Sequence, residues 1–577
     1  MKSLHLFMLR HGFAAGLILL LVGDLFVLRE PGWVFSHSGA RFWVNYLLSL
    51  LGLLGCLYIL RAAFNRNRGT RFLGLMLILA PCLIQAGYFS VYKKYLTPFA
   101  FSFFTENPAM TAGFNRNFFP YAKALVFLPL CAYATFLLFQ SAPRFRPVRA
   151  TAAGLLFLAF LAHSVFGWYS YYDFENAPMA FNSALTENII RSAGTFRVDR
   201  PVVPKRRSGS APTALVWILG ESTVRDHMSL YGYARKTTPF LDSLSAAGRL
   251  LAFTNAVTVG NKTNLSVPYM LAGLEGPDPN GVFYHTPTVF NYARAAGFAT
   301  AFISAQDLRW GHLEKILVDA SVDLFRDGSF FSPSVNVMKG ADDMIVVKRG
   351  ILPYLDTVRS PFLLVYQMDG SHYPYTDHCP ESCKRFLPEE GENSVSAYDN
   401  TVAYTDAALS LLINKVQSRF PDAWIVFTPD HGQSVDNGQG AFNESFYREV
   451  ICNPLLMIAP ADRMPALRRN LNAPVSQADI LPTLLDVMGM TPVRPLDGYS
   501  LLRPVSASRL RLCSEYMPTF HNSPKGVLFL PDGAFYTLDF IKRSAESSRD
   551  SGVVPFRELA PEFQEHIQSR LTRGAVH

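Results

Sequence analysis

Five apolar stretches, residues 12–28, 43–60, 72–89, 121–139 and 151–168, follow one another near the start of the chain. A helix needs ~20 mainly apolar residues to cross a bilayer, and each stretch comes close once its flanks are counted. Any one of them alone could be a buried core helix; five in succession read as membrane spans. The first could also serve as a signal peptide, but no small-residue cleavage site follows it and further spans do. Over 577 residues the chain is 49% hydrophobic with a mean hydropathy of +0.14, and the excess is concentrated in this first part.

Basic residues orient the spans. Arg61, Arg66, Arg68 and Arg71 lie between the second and third, and Arg144, Arg146 and Arg149 between the fourth and fifth. Arginine-rich loops stay in the cytoplasm, Lys2 and Arg10 put the N-terminus there too, and an odd number of spans delivers everything after Tyr172 to the far side. The net charge of +8 is then largely a matter of topology, and with no nucleic-acid-binding motif present that partner is excluded. Cys56, Cys82 and Cys131 fall in the spans, whereas Cys379, Cys383, Cys452 and Cys513 belong to the exported half. In an oxidising compartment the close pair in HCPESCKRF is expected to form a small-loop disulfide, leaving Cys452 with Cys513. A zinc site at CPESC is the weaker reading, because no second matching pair exists.

Residues 1–172 are thus read as a five-helix transmembrane domain. Residues 173–212 lose the apolar runs and end in RPVVPKRRSGSAPT, which is linker chemistry. Beyond them the short apolar runs ALVWILG, ATAFISA, FLLVYQMDG, AWIVFTPD and PLLMIAP alternate with helical segments such as TTPFLDSLSAAG and ALSLLINKVQ. That alternation predicts βαβ units around a mainly parallel sheet covered by helices on both faces, an α/β/α sandwich over residues 213–545. Residues 546–577 read as a polar C-terminal tail with a surface helix near Phe563.

Glu221 follows ALVWILG, Asp430 and His431 follow AWIVFTP, and Thr263 stands in GNKTNLSVPYM. Open α/β sheets build their sites beyond the carboxyl ends of strands, so these distant segments are expected to meet, supplying carboxylate, hydroxyl and imidazole to one metal. A hydroxyl beside zinc can lose its proton near neutral pH and attack phosphorus. The bland alternative for each acid is a helix N-cap, and Thr263 or Ser266 could be an ordinary cap. Pro268 suits a first helical turn, which predicts a helix starting shortly after Thr263, its positive end available to a phosphoryl group.

The stretches GESTVRDHMSLYGYARKTTPFLDSL, TNLSVPYM and PDHGQS resemble the membrane phosphoethanolamine transferases of Gram-negative bacteria, a branch of the alkaline phosphatase and sulfatase superfamily. The resemblance spans nearly the whole chain, since the five apolar segments also fit. It implies an alkaline phosphatase/sulfatase-like periplasmic domain, Zn2+ held by Glu221, Thr263, Asp430 and His431, and Thr263 as nucleophile. His372, in QMDGSHYPY, would line the substrate side, binding the phosphoryl group or a second, weaker zinc; neighbouring Asp369 reads as a turn residue. Asn107, Thr111 and Asn115 recur every fourth residue and would share one helical face. They are similar to an Asn, Thr, Glu series that binds the ethanolamine-bearing donor, with Asn115 in place of the acid; Glu106 is a candidate for the missing charge, and a water-facing polar face is the plain alternative. Two departures stand out: Gln433 replaces an acid after the DH pair, and a second-site histidine is missing from SVDNGQGAFNESF, where Asn443 is the nearest polar substitute. An amide is a poor zinc ligand beside imidazole. His312, in RWGHLEK, is a further candidate for substrate binding.

The resemblance implies an inner-membrane enzyme, a monomer among membrane lipids, with its catalytic domain in the periplasm. It would move phosphoethanolamine from phosphatidylethanolamine to lipopolysaccharide through a covalent phosphothreonine. Lipid A phosphate, a core sugar and periplasmic glucan all stay open as acceptor. The rivals are a phosphoglycerol transferase acting on glucan or lipoteichoic acid, and a non-catalytic membrane sensor that keeps the fold. GYARKTTP and the Asn107/Thr111 series favour the first reading over the phosphoglycerol enzyme, and the intact metal set argues against the sensor.

Overall fold

All five apolar stretches are helical over nearly all of their described residues. The computed structural model describes residues 11–29, 31–37, 39–64, 67–92, 95–96, 101, 121–140, 146–166, 174–193, 198–205, 214–309, 313–336, 338–391, 394–435, 446–516, 524–540 and 542–574. The chain divides into two units, residues 1–196 and 197–577.

In the first unit, among the described residues, Phe42–Phe64, Arg68–Phe89 and Pro147–Ser164 are long and apolar enough to cross a membrane, while Gly12–Leu28 and Leu125–Leu138 are shorter apolar helices. Their backbones approach closely at small residues. A Cβ added to Gly55 would lie 2.5 Å from the Ala153 carbonyl oxygen, and one on Gly16 would lie 2.5 Å from that of Ala134; such contacts drive helix association where the hydrophobic effect cannot. Leu47, Phe72, Leu125 and Leu155 remain exposed, as lipid-facing side chains do. Charges inside the unit are paired: Asp24 accepts a hydrogen bond from Tyr46 at 2.8 Å and faces Arg29 at 3.5 Å, and the Arg29 guanidinium lies 4.5 Å from the Tyr95 ring centre.

The stretch read as linker begins with a helix, Ala177–Ala193, that falls in this first unit. Met179, Ala180 and Ala184 are fully buried, and the Ala177 amide donates to Asp24 at 3.2 Å. Its buried stripe is made mostly of small residues, so no apolar run announced it.

Among the described residues, the second unit has nine strands before residue 480: β1 Ala214–Gly220, β2 Leu251–Phe253, β3 Ala256–Val257, β4 Ala299–Ser304, β5 Leu324–Arg326, β6 Phe362–Gln367, β7 Trp424–Pro429, β8 Leu455–Ile458 and β9 Val475–Ser476. Seven form one sheet in the order β2-β8-β7-β1-β6-β4-β5; β3 and β9 pair separately. Only β8 runs against its neighbours. Every residue of β1, β6 and β7 is buried, which is why they read as unbroken apolar runs: helices cover both sheet faces. Val216 and Ile218 join a core with Leu241, Leu409 and Leu412 from the helices Pro239–Ala246 and Val395–Arg419. Leu215, Trp217 and Leu219, which alternate to the other face, are equally buried.

A second, antiparallel sheet follows: β10 Arg511–Ser514, β11 Lys525–Phe529, β12 Phe535–Asp539, β13 Ser544–Ser547 and β14 Val553–Pro555. The helix expected near Phe563 is Pro561–Leu571, and its Ile567 packs with Leu512 and Leu538. Residues 546–577 therefore contribute the end of β13, all of β14 and a docked helix; both strands are too short to signal themselves, and β13 is polar as well. The expected disulfides are not formed. Cys379, Cys383, Cys452 and Cys513 are all free thiols: the buried Cys379 sulfur turns to the Pro380 carbonyl at 3.7 Å, while the exposed Cys383 sulfur lies against Ser382. Cys452 and Cys513 share an apolar cluster with Val450 and Val527 and act there as small core residues.

Candidate active site

The three strands at the centre of the sheet, β7, β1 and β6, release their chain at the same rim. β1 is followed by Glu221, β7 by Asp430 and His431, and β6 by residues 368–372. The turn after β1 is tight: Ser222 adopts φ 54° without being glycine. It is held from outside by Tyr398, whose hydroxyl donates to the Ser222 carbonyl and accepts from the Val224 amide, both at 2.7 Å.

Thr263 opens the helix Thr263–Ala272, every residue of which is buried. The helix thus starts at Thr263 itself rather than after it, and Pro268 lies inside it. Ser266 is no cap, since its hydroxyl donates back to the Lys262 carbonyl at 2.7 Å. The Thr263 hydroxyl lies 3.2 Å from Glu221 Oε2 and 3.4 Å from His431 Nε2. His431 Nε2 lies 3.2 Å from Asp430 Oδ2 and 3.7 Å from Glu221 Oε1. All four residues expected as metal ligands therefore converge, and Glu221, Asp430 and His431 are the group of His, Cys, Asp and Glu side chains placed to hold a metal among the described residues.

The surroundings fit a cation. His431 Nδ1 donates to the Gly432 carbonyl at 2.7 Å, which fixes the tautomer and turns the Nε2 lone pair toward the carboxylates. An added Cβ on Gly432 would stand 1.9 Å from the Glu449 carbonyl oxygen, so only glycine lets the chain pass there. Burial, more than any other influence, drives the Asp430 carboxyl well up, and the charge of Glu221 adds to it. Burial also acts to raise Glu221, but His431 and His372, with hydrogen bonds, outweigh it and lower its pKa. Burial lowers His431 and so favours the neutral, ligating imidazole. Asp430 Oδ2 has no hydrogen-bond donor among the described residues. Two buried carboxylates, a neutral imidazole and a hydroxyl brought together are a donor set for a divalent ion such as zinc.

His372 stands beside this centre. Its charge bears on both Glu221 and His431, and its Nδ1 is tied to the Tyr373 carbonyl at 2.5 Å, leaving Nε2 as the free edge of the ring. Several contributors carried no sequence signal. Gln306, after β4, donates to Glu221 Oε2 at 2.7 Å, and Ser222 donates to Oε1 at 2.6 Å. Asp369 is more than a turn residue: buried, it accepts from the Gly340 amide and pairs with His378 Nδ1, each at 2.8 Å. The His378 ring lies 5.9 Å from that of His372. His227, in the GESTVRDH stretch, pairs with Asp399 at 2.8 Å, and Tyr233 and Arg235 donate to the same carboxylate. That segment thus anchors the turn after Glu221 to helix Val395–Arg419. Asn107, Thr111, Asn115, Glu106, Asn443 and His312 lie outside the described residues.

Residues 213–490 match the family described as Sulfatase. The chain is 26% identical over 325 residues to phosphoethanolamine transferase EptC of Escherichia coli K12, an alignment covering 52% of this chain and 54% of that protein. It is 28% identical over 233 residues to Kdo(2)-lipid A phosphoethanolamine 7''-transferase of the same organism, covering 39% and 40%. The chain thus spans about half the length of the curated relatives it matches. The integral membrane lipooligosaccharide phosphoethanolamine transferase A of Neisseria meningitidis shares the fold, with a TM-score of 0.57 and 18% identity over 82% of this chain and 94% of that one.

Proposed function

We propose that this chain is a five-span inner-membrane enzyme, 1–172 in the membrane and 213–545 catalytic in the periplasm, that transfers phosphoethanolamine from phosphatidylethanolamine to lipopolysaccharide. The observation that carries the reading is the Thr263 hydroxyl, buried at the start of a helix and within hydrogen-bonding reach of Glu221 and His431. Relatives named as phosphoethanolamine transferases support the choice of headgroup. Zn2+ held by Glu221, Thr263, Asp430 and His431 would supply positive charge for the phosphoryl oxygens and lower the pKa of the hydroxyl. Thr263 Oγ attacks the donor phosphorus, diacylglycerol departs, and the phosphoethanolamine stays on Thr263 as an ester until the acceptor oxygen displaces it. The N-terminal end of helix Thr263–Ala272 favours the negative charge that gathers there, and His372, with its free Nε2, holds the transferring group. Asn107, Thr111, Asn115 and Asn443 complete the proposed substrate contacts. Mass spectrometry of lipid A and core oligosaccharide from cells with and without the gene tests this: phosphoethanolamine is expected only with the gene, and identical spectra would reject it.

A further inference from the structure

A second cavity opens at the same rim of the main sheet, away from the Thr263 centre. Its volume is about 170 Å³, and three arginines from distant segments line it: Arg225, Arg448 and Arg511. Arg225 follows β1, Arg448 precedes β8 and Arg511 opens β10, so the second sheet closes the cavity from outside. Position follows from topology. Residues Thr254–Val257, which form one wall, leave the carboxyl end of β2. β2 is parallel to β7, with β8 between them. Two strand spacings therefore put this wall on the order of 10 Å from Asp430. The link is direct: Thr258, the next residue, donates to the Asp430 carbonyl at 2.9 Å.

The arginines are short of acids. Arg511 is fully buried. Its Nη1 donates to the Asn255 carbonyl at 2.8 Å and side-chain oxygen at 3.0 Å, and its Nη2 to the Leu530 carbonyl at 3.1 Å. Its Nε has no partner among the described residues, and no carboxylate of those residues stands within ion-pair distance of it or of the exposed Arg448. Arg225 is fixed by the Thr254 carbonyl at 3.1 Å and by its exposed neighbour Asp226 at 3.0 Å. The single carboxylate on the lining, Asp532, is engaged by Arg549. A buried guanidinium with no carboxylate in contact is costly, and burial outweighs the more distant charges of Glu275 and Asp479. Held rigid by carbonyls and opening on a cavity with two more guanidinium groups, it is a preorganised fork for a doubly charged tetrahedral oxyanion.

We propose that this cavity is a binding site for a phosphate monoester. Resting on the proposed function, it would seat a phosphate of the acceptor glycolipid while another acceptor group reaches Thr263. The same chemistry would also take free inorganic phosphate, and the two sources are separable. Full-length protein in nanodiscs is titrated with inorganic phosphate by 31P line broadening, and KM is measured for lipopolysaccharide with its phosphates intact or removed. The variants are Arg448→Ala and Arg225→Ala, both away from the buried floor. If the acceptor is the source, each variant raises KM for the phosphorylated acceptor about 10- to 100-fold, the worth of one charged hydrogen bond, and far less for the dephosphorylated one. If free phosphate is the source, the variants weaken phosphate binding at least about tenfold while KM stays put. An absence of both effects overturns the site. Failure of the wild-type protein to transfer to either acceptor would count against the proposed function, and the phosphate titration would still decide the cavity.

Discussion

Replacing Tyr398 with phenylalanine removes one oxygen atom from a fully buried position and tests how the Glu221 turn is held. The hydroxyl bridges the Ser222 carbonyl and the Val224 amide at 2.7 Å each. Without it both groups lose their partner in a buried position, at about 1–3 kcal/mol apiece, or roughly 2–6 kcal/mol for the second unit. The turn also holds Ser222 at φ 54°, so relaxation would move the adjacent Glu221. Loss of a group that orients a metal ligand typically costs about 10- to 100-fold in metal affinity or activity. Denaturant unfolding, zinc affinity and transfer rate are to be measured on full-length protein in detergent, beside Tyr404→Phe. Among the described residues the Tyr404 hydroxyl meets only the partly exposed Asp342, so that control is expected to lose about 1 kcal/mol or less. A Tyr398→Phe protein with native stability and native zinc affinity would refute the reasoning.

Glu221→Ala, Asp430→Ala and His431→Ala are each expected to lower bound zinc as well as activity, and metal analysis showing full occupancy in all three would mean the ligands are misassigned. Burial and the neighbouring Asp369 charge push the Asp343 carboxyl up to about 7. Because the unfolded chain releases that proton near pH ~4, this group's contribution is full below that value and falls by up to about 4 kcal/mol between about pH 4 and 7; Asp343→Asn is expected to flatten that part of the stability curve. A reporter fused after Lys205 is expected to behave as exported, and a cytoplasmic signal would contradict the orientation read from the arginine loops.

The convergence of the candidate site residues was legible because a buried strand announces itself as an apolar run, and the residue where the run stops stands at the sheet's carboxyl rim. Glu221, Asp430 and His431 were found in that way. Thr263 needed its motif, and the start of its helix was misjudged: Pro268 sits inside a buried helix whose packing outweighs the missing amide. Gln306, Tyr398 and the Asp369–His378 pair had no signal, because each acquires its role from a contact with a segment distant in sequence. The same holds for Arg511, which as the first residue of a short strand, two places after Arg509, reads like any surface charge. The helix Ala177–Ala193 hid for a different reason, since alanine and methionine against paired charges make a packed face without a long apolar run.

The central claim is that Thr263 carries the transferring group. Intact-protein mass spectrometry of wild type and Thr263→Ala, each incubated with phosphatidylethanolamine without acceptor, tests it directly. A phosphoethanolamine adduct is predicted on the wild type, mapping to Thr263, with none on the folded variant. Undiminished transfer by Thr263→Ala, or an adduct on another residue, would contradict it.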